Sequence, residues 1–399
     1  MKLLVLSFYY PPDLCAGSFR TAALVRSLTA AAPRAEIDVV TALPNRYPSF
    51  SVEAPEREEH GNVRIRRFAL PAHASGMLDQ SKAFVSFAHQ VLSHLRGRRY
   101  DLVYATSSRL MTATLGALVA RRVRAPLYLD IRDIFVDTIR DVLPRRFATL
   151  ALPIFPLLES WTMRQAERIN LVSPGFADYF RSRYPAKRLS FFTNGVDDEF
   201  IAAAAVSAAP HDKHEEPTTI LYAGNVGEGQ GLHAIVPALA RALGTRARFV
   251  IIGDGGRREA LRARLVGISC VELLPPVERD ALIAAYRQAD VLFLHLNDYE
   301  AFRKVLPSKL FEYAAVGKPL LAGVAGCAAD LIRAEIDNAA VFPPCDAAQA
   351  VAAFDSLELR DTPRPAFIEK YSRAHIMATM ADEILGVAAQ AALPCNRCM

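Results

Sequence analysis

Short apolar, β-branched runs alternate with longer helix-patterned stretches along the chain, and this alternation stops once and then begins again. In the first half the runs are KLLVLSF, EIDVVTAL, NVRIRRFAL, LVYATS, PLYLDI, INLVSP and LSFFTNGV. After residue 217 they resume as TTILYAG, ARFVIIGDG, CVELLPP, DVLFLHL, PLLAGV and AAVFPP. Strands that alternate with helices predict parallel sheets covered by helices. Between the two series lies DDEFIAAAAVSAAPHDKHEEP, Ala-rich and then charged, just after an Asn194-Gly195 turn. The chain therefore reads as α/β, with two doubly wound Rossmann-like domains. Residues 1–196 form the first domain, 197–217 a connection, 218–365 the second domain, and 366–399 a final helix plus tail. That helix, AFIEKYSRAHIMATMADEIL, carries Phe367, Tyr371, Ile376, Met380 and Ile384 along one apolar stripe. Sheets of this kind bind ligands at the carboxyl ends of their strands, so two facing domains predict a cleft that holds the chemistry.

Composition narrows the partners. With 399 residues, 52% of them apolar, the chain has ample material for sizeable cores. A net charge of +5 is well short of a nucleic-acid binder and suits anionic small molecules or an anionic membrane face. The start, MKLLVLSFYYPPD, is too short in its apolar run for a signal peptide, so a cytoplasmic location is expected. Cys15, Cys270, Cys327, Cys345, Cys395 and Cys398 are scattered and expected to be reduced thiols; CNRC at the end is half a zinc site at most.

LPSKLFEYAAVGKP carries the sharpest signal. Ser308 reads as an N-cap, Leu310, Phe311 and Ala314 as a buried stripe, and Gly317 with Pro319 as the stop. Lys309 then sits at the positive end of the helix macrodipole, a placement that makes sense once an anion arrives. Glu312, one turn further in, suits the hydroxyls of a ribose, although a solvated Lys/Glu face is the plainer reading. LYAGNVGEGQGL adds a strand, then a turn with Gly224, Gly227, Gly229 and Gly231, then a helix, which lets amides approach a pyrophosphate. Asp254 in VIIGDGG also meets the dinucleotide-binding pattern. In LDIRDIFVD, Asp130 and Asp133 end a strand where catalysis is expected. Asp133 is the candidate that orients or deprotonates an acceptor hydroxyl, an N-cap being the alternative, and His295 reads as a packed residue.

Taken in order, FYYPPDLCAGSFR, TNGVDDEF, LYAGNVGEGQGL, VIIGDGG, VLPSKLFEYAAVGKP and EKYSRAHIMATMADEIL resemble the retaining glycosyltransferases of family 4, over nearly the whole chain. The variant spelling resembles the branch used in bacterial cell-surface polysaccharide assembly. The resemblance implies a GT-B fold, a nucleotide diphosphate sugar donor, expected to be a UDP-sugar, and transfer with retained configuration without an obligatory metal. It implies donor contacts at Gly17, Gly224, Asn225, Gln230, Gly253, Asp254, Lys304, Pro307, Ser308, Lys309, Leu310 and Glu312, with Asp133, Lys309 and Glu312 as catalytic residues. Lys304 stands where the family's E-x7-E pair has its first glutamate. Asn225 and Gln230 stand where many members carry Arg and Lys, so Lys309, alone or with Lys304 or Arg303, is expected to supply the missing charge.

LPRRFATLALPIFPLLESW, with Arg145 and Arg146 beside an apolar run, and the basic stretches RGRRY and RRVR suit peripheral contact with a membrane. The expected acceptor is a glycan or a polyprenyl-linked glycan. The alternatives are a UDP-sugar 2-epimerase of the same shape and a dinucleotide-binding dehydrogenase or sensor.

Overall fold

The computed structural model describes residues 1–45, 53–71, 77–107, 110–134, 136–137, 154–205 and 217–392. Arg145, Arg146, Cys395 and Cys398 lie outside them. The chain divides into two compact units, Met1–Thr193 with Ala374–Met399, and Asn194–Arg373.

The first unit is built on an eight-stranded sheet. Its strands are β1 (Lys2–Leu6), β2 (Glu36–Ala42), β3 (Arg57–His60), β4 (Val63–Phe68), β5 (Leu102–Thr106), β6 (Leu127–Ile131), β7 (Ala166–Leu171) and β8 (Arg188–Ser190). They lie in the order β3-β4-β2-β1-β5-β6-β7-β8. Only the β3–β4 pair is antiparallel. β3 is the strand that apolar patterning misses: Arg57-Glu58-Glu59-His60 has no buried face to advertise, and its charges suit a sheet edge. Gly61 turns it back at φ 59°. The strand order reverses beside β1, whose Leu3, Leu4, Val5 and Leu6 are essentially solvent-free.

The second unit carries β9 (Thr218–Ala223), β10 (Ala247–Ile252), β11 (Val271–Leu274), β12 (Val291–His295), β13 (Leu320–Gly323) and β14 (Ala339–Phe342). All are parallel, in the order β11-β10-β9-β12-β13-β14, so this order reverses between β9 and β12. Ile220, Phe249 and Phe293 from the sheet and Ile235, Val236 and Leu239 from the Leu232–Leu243 helix form its core.

Two elements differ from expectation. The stretch read as a connection contains a helix, Asp198–Ala205, assigned to the second unit. The single final helix is broken into Pro365–Lys370 and Arg373–Ala392. The break has a hydrogen-bond cause: the Tyr371 carbonyl accepts from the Val196 amide (2.7 Å), and the Arg373 amide donates to the Val196 carbonyl (2.8 Å). Backbone there leaves the helix to pair with the Asn194-Gly195 turn, where any Cβ on Gly195 (φ 74°) would collide with Arg373. The five stripe residues are all buried. Beyond the break, Glu383 accepts from Tyr128 (2.7 Å) and Ser190 (2.6 Å) of the first unit.

Asp130 is a scaffold group of the first unit. Wholly buried, it accepts from Arg20 Nε (2.8 Å), Arg20 Nη2 (3.0 Å), Tyr104 (2.9 Å) and Asn170 (2.7 Å), which ties β5, β6 and β7 to the Ala16–Ala31 helix. Burial pushes its pKa up, but the Arg20 guanidinium outweighs this and holds the carboxyl below the usual range. Its stabilising contribution is therefore complete above the ordinary carboxylate pKa and is lost as pH falls through the lowered folded value. Arg20→Ala leaves a buried carboxylate without its counter-charge and is expected to cost about 3–5 kcal/mol. Urea unfolding followed by circular dichroism measures the loss; a change under about 1 kcal/mol contradicts the role given to the pair.

Candidate functional site

At the carboxyl end of β9 the chain enters the glycine loop with Gly224 at φ 136°, a conformation that side chains rarely adopt. A Cβ at Gly224 would overlap Cε and Nζ of Lys309, so the lysine lies directly against this glycine, and its ammonium stands 5.2 Å from the centre of the Tyr222 ring. The next strand end is equally bare: a Cβ on Gly253 (φ 150°) would run into the Gly224 carbonyl. This corner lies where the sheet order reverses, the place at which doubly wound sheets bind ligands.

The Ser308–Val316 helix delivers the lysine. Its N-cap is Pro307 rather than Ser308, which is the first helical residue and makes no side-chain cap. Pro307 has fixed φ and no amide to satisfy, so it suits a helix start, and Lys309 falls in the first turn as expected. Leu310 presents nothing to a ligand: its side chain is fully buried and its amide donates to the Pro307 carbonyl (3.0 Å). The helix is pinned at both ends. The Ala223 amide donates to the Tyr313 hydroxyl (3.1 Å). At the other end Gly317 turns at φ 81°, and Arg364 donates to the Ala314 and Lys318 carbonyls, both at 3.1 Å.

Glu312 accepts a long hydrogen bond from Tyr286 (3.3 Å). Burial raises its pKa against the opposing pull of Arg373, Lys309 and Arg279. Asp197 pairs with Arg279 and, at 3.1 Å, with Arg373, so the carboxylate sits in a charge network that the sequence gives no way to assemble.

Asn225 and Gln230 bond to each other (Nδ2 to Oε1, 2.7 Å), and the Gly227 amide donates to the same Gln230 oxygen (3.2 Å). They brace the loop. Asp254 accepts from the Gly255 amide (2.7 Å), and its carbonyl accepts from the Val226 amide (2.9 Å). Lys304 ends the short turn Glu300–Lys304, whose Phe302 ring packs over Gly229. His295 is buried between the Gln230 carbonyl (Nδ1, 2.7 Å) and the Cys345 amide, which donates to Nε2 (3.0 Å). One nitrogen donates and the other accepts, so the ring is neutral, and burial pushes its pKa down to about 4.

In the first unit, Gly17 opens the Ala16–Ala31 helix with the Arg132 guanidinium in van der Waals reach, 3.8 Å from where a Cβ would stand. Arg132 has no sequence pattern that marks it; its amide donates to Ser107 (3.0 Å). Asp130 is committed to Arg20 and faces no ligand space, contrary to expectation. Asp133 differs. It is open to solvent yet crowded by protein that disfavours the charge, which raises its pKa to about 6 while Arg132 pulls it down. Among the described residues no group of three or more His, Cys, Asp or Glu is placed to hold a metal, and no helix is long and apolar enough to cross a membrane.

Two family models match this chain: Glycosyl transferase 4-like domain over residues 21–195 and Glycosyl transferases group 1 over residues 206–375. With the two Rossmann-like units, they make the chain a glycosyltransferase of the GT-B type. A similar curated protein is WcaI of Escherichia coli (strain K12), named as a colanic acid biosynthesis glycosyl transferase; identity is 26%, covering 79% of this chain and 82% of WcaI. Among solved structures, WaaG, a glycosyltransferase involved in lipopolysaccharide biosynthesis, has a TM-score of 0.62 at 15% identity, covering 98% of each chain. HepE of Anabaena, solved in complex with UDP, has a TM-score of 0.55 at 17% identity, also covering 98% of each.

Protonation of His295 costs a buried hydrogen bond, so stability tied to this residue is complete above about pH 6.5 and declines as pH falls toward 4. The expected loss is about 3 kcal/mol at pH 4. His295→Gln, which keeps a donor and an acceptor, is expected to flatten that window in pH-resolved urea unfolding.

Proposed function

We propose that this glycosyltransferase moves a sugar from a UDP-sugar to a glycan or lipid-linked acceptor, with retained anomeric configuration, during assembly of a cell-surface polysaccharide. The observation that carries the reading is Lys309 lying against Gly224 at the start of the Ser308–Val316 helix, with Glu312 one turn further on. The helix start and the ammonium suit a diphosphate. The Glu312 carboxylate accepts the two ribose hydroxyls, and the bare backbone of Gly224 and Gly253 permits close approach. The UDP in HepE and the pathways named for WcaI and WaaG support the donor and the setting. Contact with the inner face of the cell membrane fits a lipid-linked acceptor.

The transfer itself needs little covalent help from the protein. Charge that develops on the departing diphosphate falls on Lys309, which is already in place, so reorganisation at the moment of reaction is small. In the first unit, Gly17 leaves the Arg132 guanidinium close to the start of the Ala16–Ala31 helix, and we assign this pair to the reacting sugar and phosphate. Asp133 orients the acceptor hydroxyl and takes its proton, alone or together with the leaving phosphate.

Lys309→Ala is expected to weaken UDP binding by about 10- to 100-fold, the worth of a charge-assisted hydrogen bond or two. Calorimetric titration with UDP reads this directly, and undiminished affinity refutes the donor site. Asp133→Asn is expected to lower kcat about 10²- to 10⁴-fold with little change in donor KM. In the wild type, kcat/KM should rise with pH through about 6, as the carboxyl loses its proton, and this limb should vanish in the variant. The anomeric configuration of the product by NMR tests retention. Donor turnover without any acceptor would instead favour a 2-epimerase.

A further inference from the structure

A concavity of about 1130 Å³ opens in the first unit away from the site just described. It lies at the amino ends of β5 and β6, where Asp101 and Arg124 precede the strands, whereas Gly17 and Asp133 follow the carboxyl ends of β1 and β6. A strand of five residues separates the two ends by roughly 16 Å.

Arginines dominate its wall. Arg96, Arg98 and Arg99 follow the Met77–His94 helix, and Arg122 and Arg124 come from the end of the Leu110–Val123 helix. All five are exposed. Arg98 has ordinary structural work: its Nε donates to the His94 carbonyl at the helix end (3.1 Å), and it stands 3.7 Å from Asp38. Arg96, Arg99, Arg122 and Arg124 form no ion pair among the described residues. The one carboxylate in the wall, Asp101, accepts from the Lys2 amide (2.6 Å). Capping two helix ends needs about one cation each, which leaves a bay whose five arginines outnumber the single carboxylate in its wall.

We propose that this bay is a second anion site, separate from the sugar-transfer chemistry, for a ligand that carries clustered phosphates. Guanidinium forks bind phosphate oxygens two at a time, and several arginines around one concavity match a group with several charged oxygens better than a single carboxylate. The phosphates come either from a free polyphosphate or from the headgroups of an anionic bilayer, the second source resting on the membrane contact proposed above for RGRRY and RRVR. Binding weakens with ionic strength, because the arginines are solvent-exposed.

The test compares the wild type with Arg99→Ser/Arg122→Ser, two exposed positions whose replacement is expected to leave the thermal unfolding midpoint in place. Inorganic tripolyphosphate is titrated calorimetrically, and sedimentation is measured with vesicles of phosphatidylglycerol in phosphatidylcholine. The expected result is a binding event weakened at least about tenfold by the double substitution but not by Lys309→Ala. Loss confined to tripolyphosphate identifies a soluble ligand; loss confined to vesicles identifies the headgroups. If neither probe binds the wild type, or if both bind the double variant equally well, the site does not exist.

Discussion

Lys309 can rest on the end of β9 only because two successive strand ends carry no side chains. Gly224 lacks the Cβ that would occupy the lysine's position, and Gly253 lacks the one that would push the Gly224 carbonyl aside. The rest of this corner follows from the two bare glycines. Tyr313 fixes the Ser308–Val316 helix to Ala223, Arg364 and Gly317 fix its far end, and the length of a lysine then places an ammonium over the loop. A cation in the first turn of a helix is unfavourable by a few tenths of a kcal/mol, so the arrangement is better suited to an occupied state than to an empty one.

The local charge balance offsets part of this cost. Arg279 and Arg373 would add to the positive potential, but Asp197 engages both, and Glu312 faces them from the helix. Asp197 and Arg373 belong to the two segments that enter and leave the second unit, joined through Val196 and Ser372. The carboxylate proposed for the ribose thereby lies in the field of a guanidinium whose backbone is fixed by sheet-like pairing. It is not left to the rotamer freedom of a surface glutamate.

Much of this was readable before any coordinates. Every apolar run became a strand because strands covered on both faces must be continuously apolar, and β3 escaped because an edge strand carries charge instead. The lysine and the glycine loop were each visible, but their contact was not, since 85 positions separate them. Ser308 looked like a cap because serine usually is one; Pro307 holds that position here. Arg20, Arg132, Arg279, Arg364 and Arg373 were illegible for one reason. A single arginine carries no periodicity, and its partners lie up to 360 positions away in sequence. Asn225 and Gln230 stand where many family members carry cations, and the structure pairs them with each other.

Asp130 and Asp133 show what environment adds to spacing. Both lie at the end of the same strand in LDIRDIFVD, and spacing alone places them alike, although only Asp133 is the candidate base. Arg20 encloses the first in a satisfied ion pair and lowers its pKa, so it stays ionised and every lone pair that matters is spoken for. The second forms no ion pair among the described residues and is crowded by protein, which lifts its pKa to about 6 while Arg132 pulls it down. A carboxylate held below the ordinary range is a poor proton acceptor whatever its position, and one raised toward neutrality is a useful one. Three residues of chain separate a beam of the scaffold from a candidate base, and the difference between them is set by a guanidinium contributed from 110 positions away.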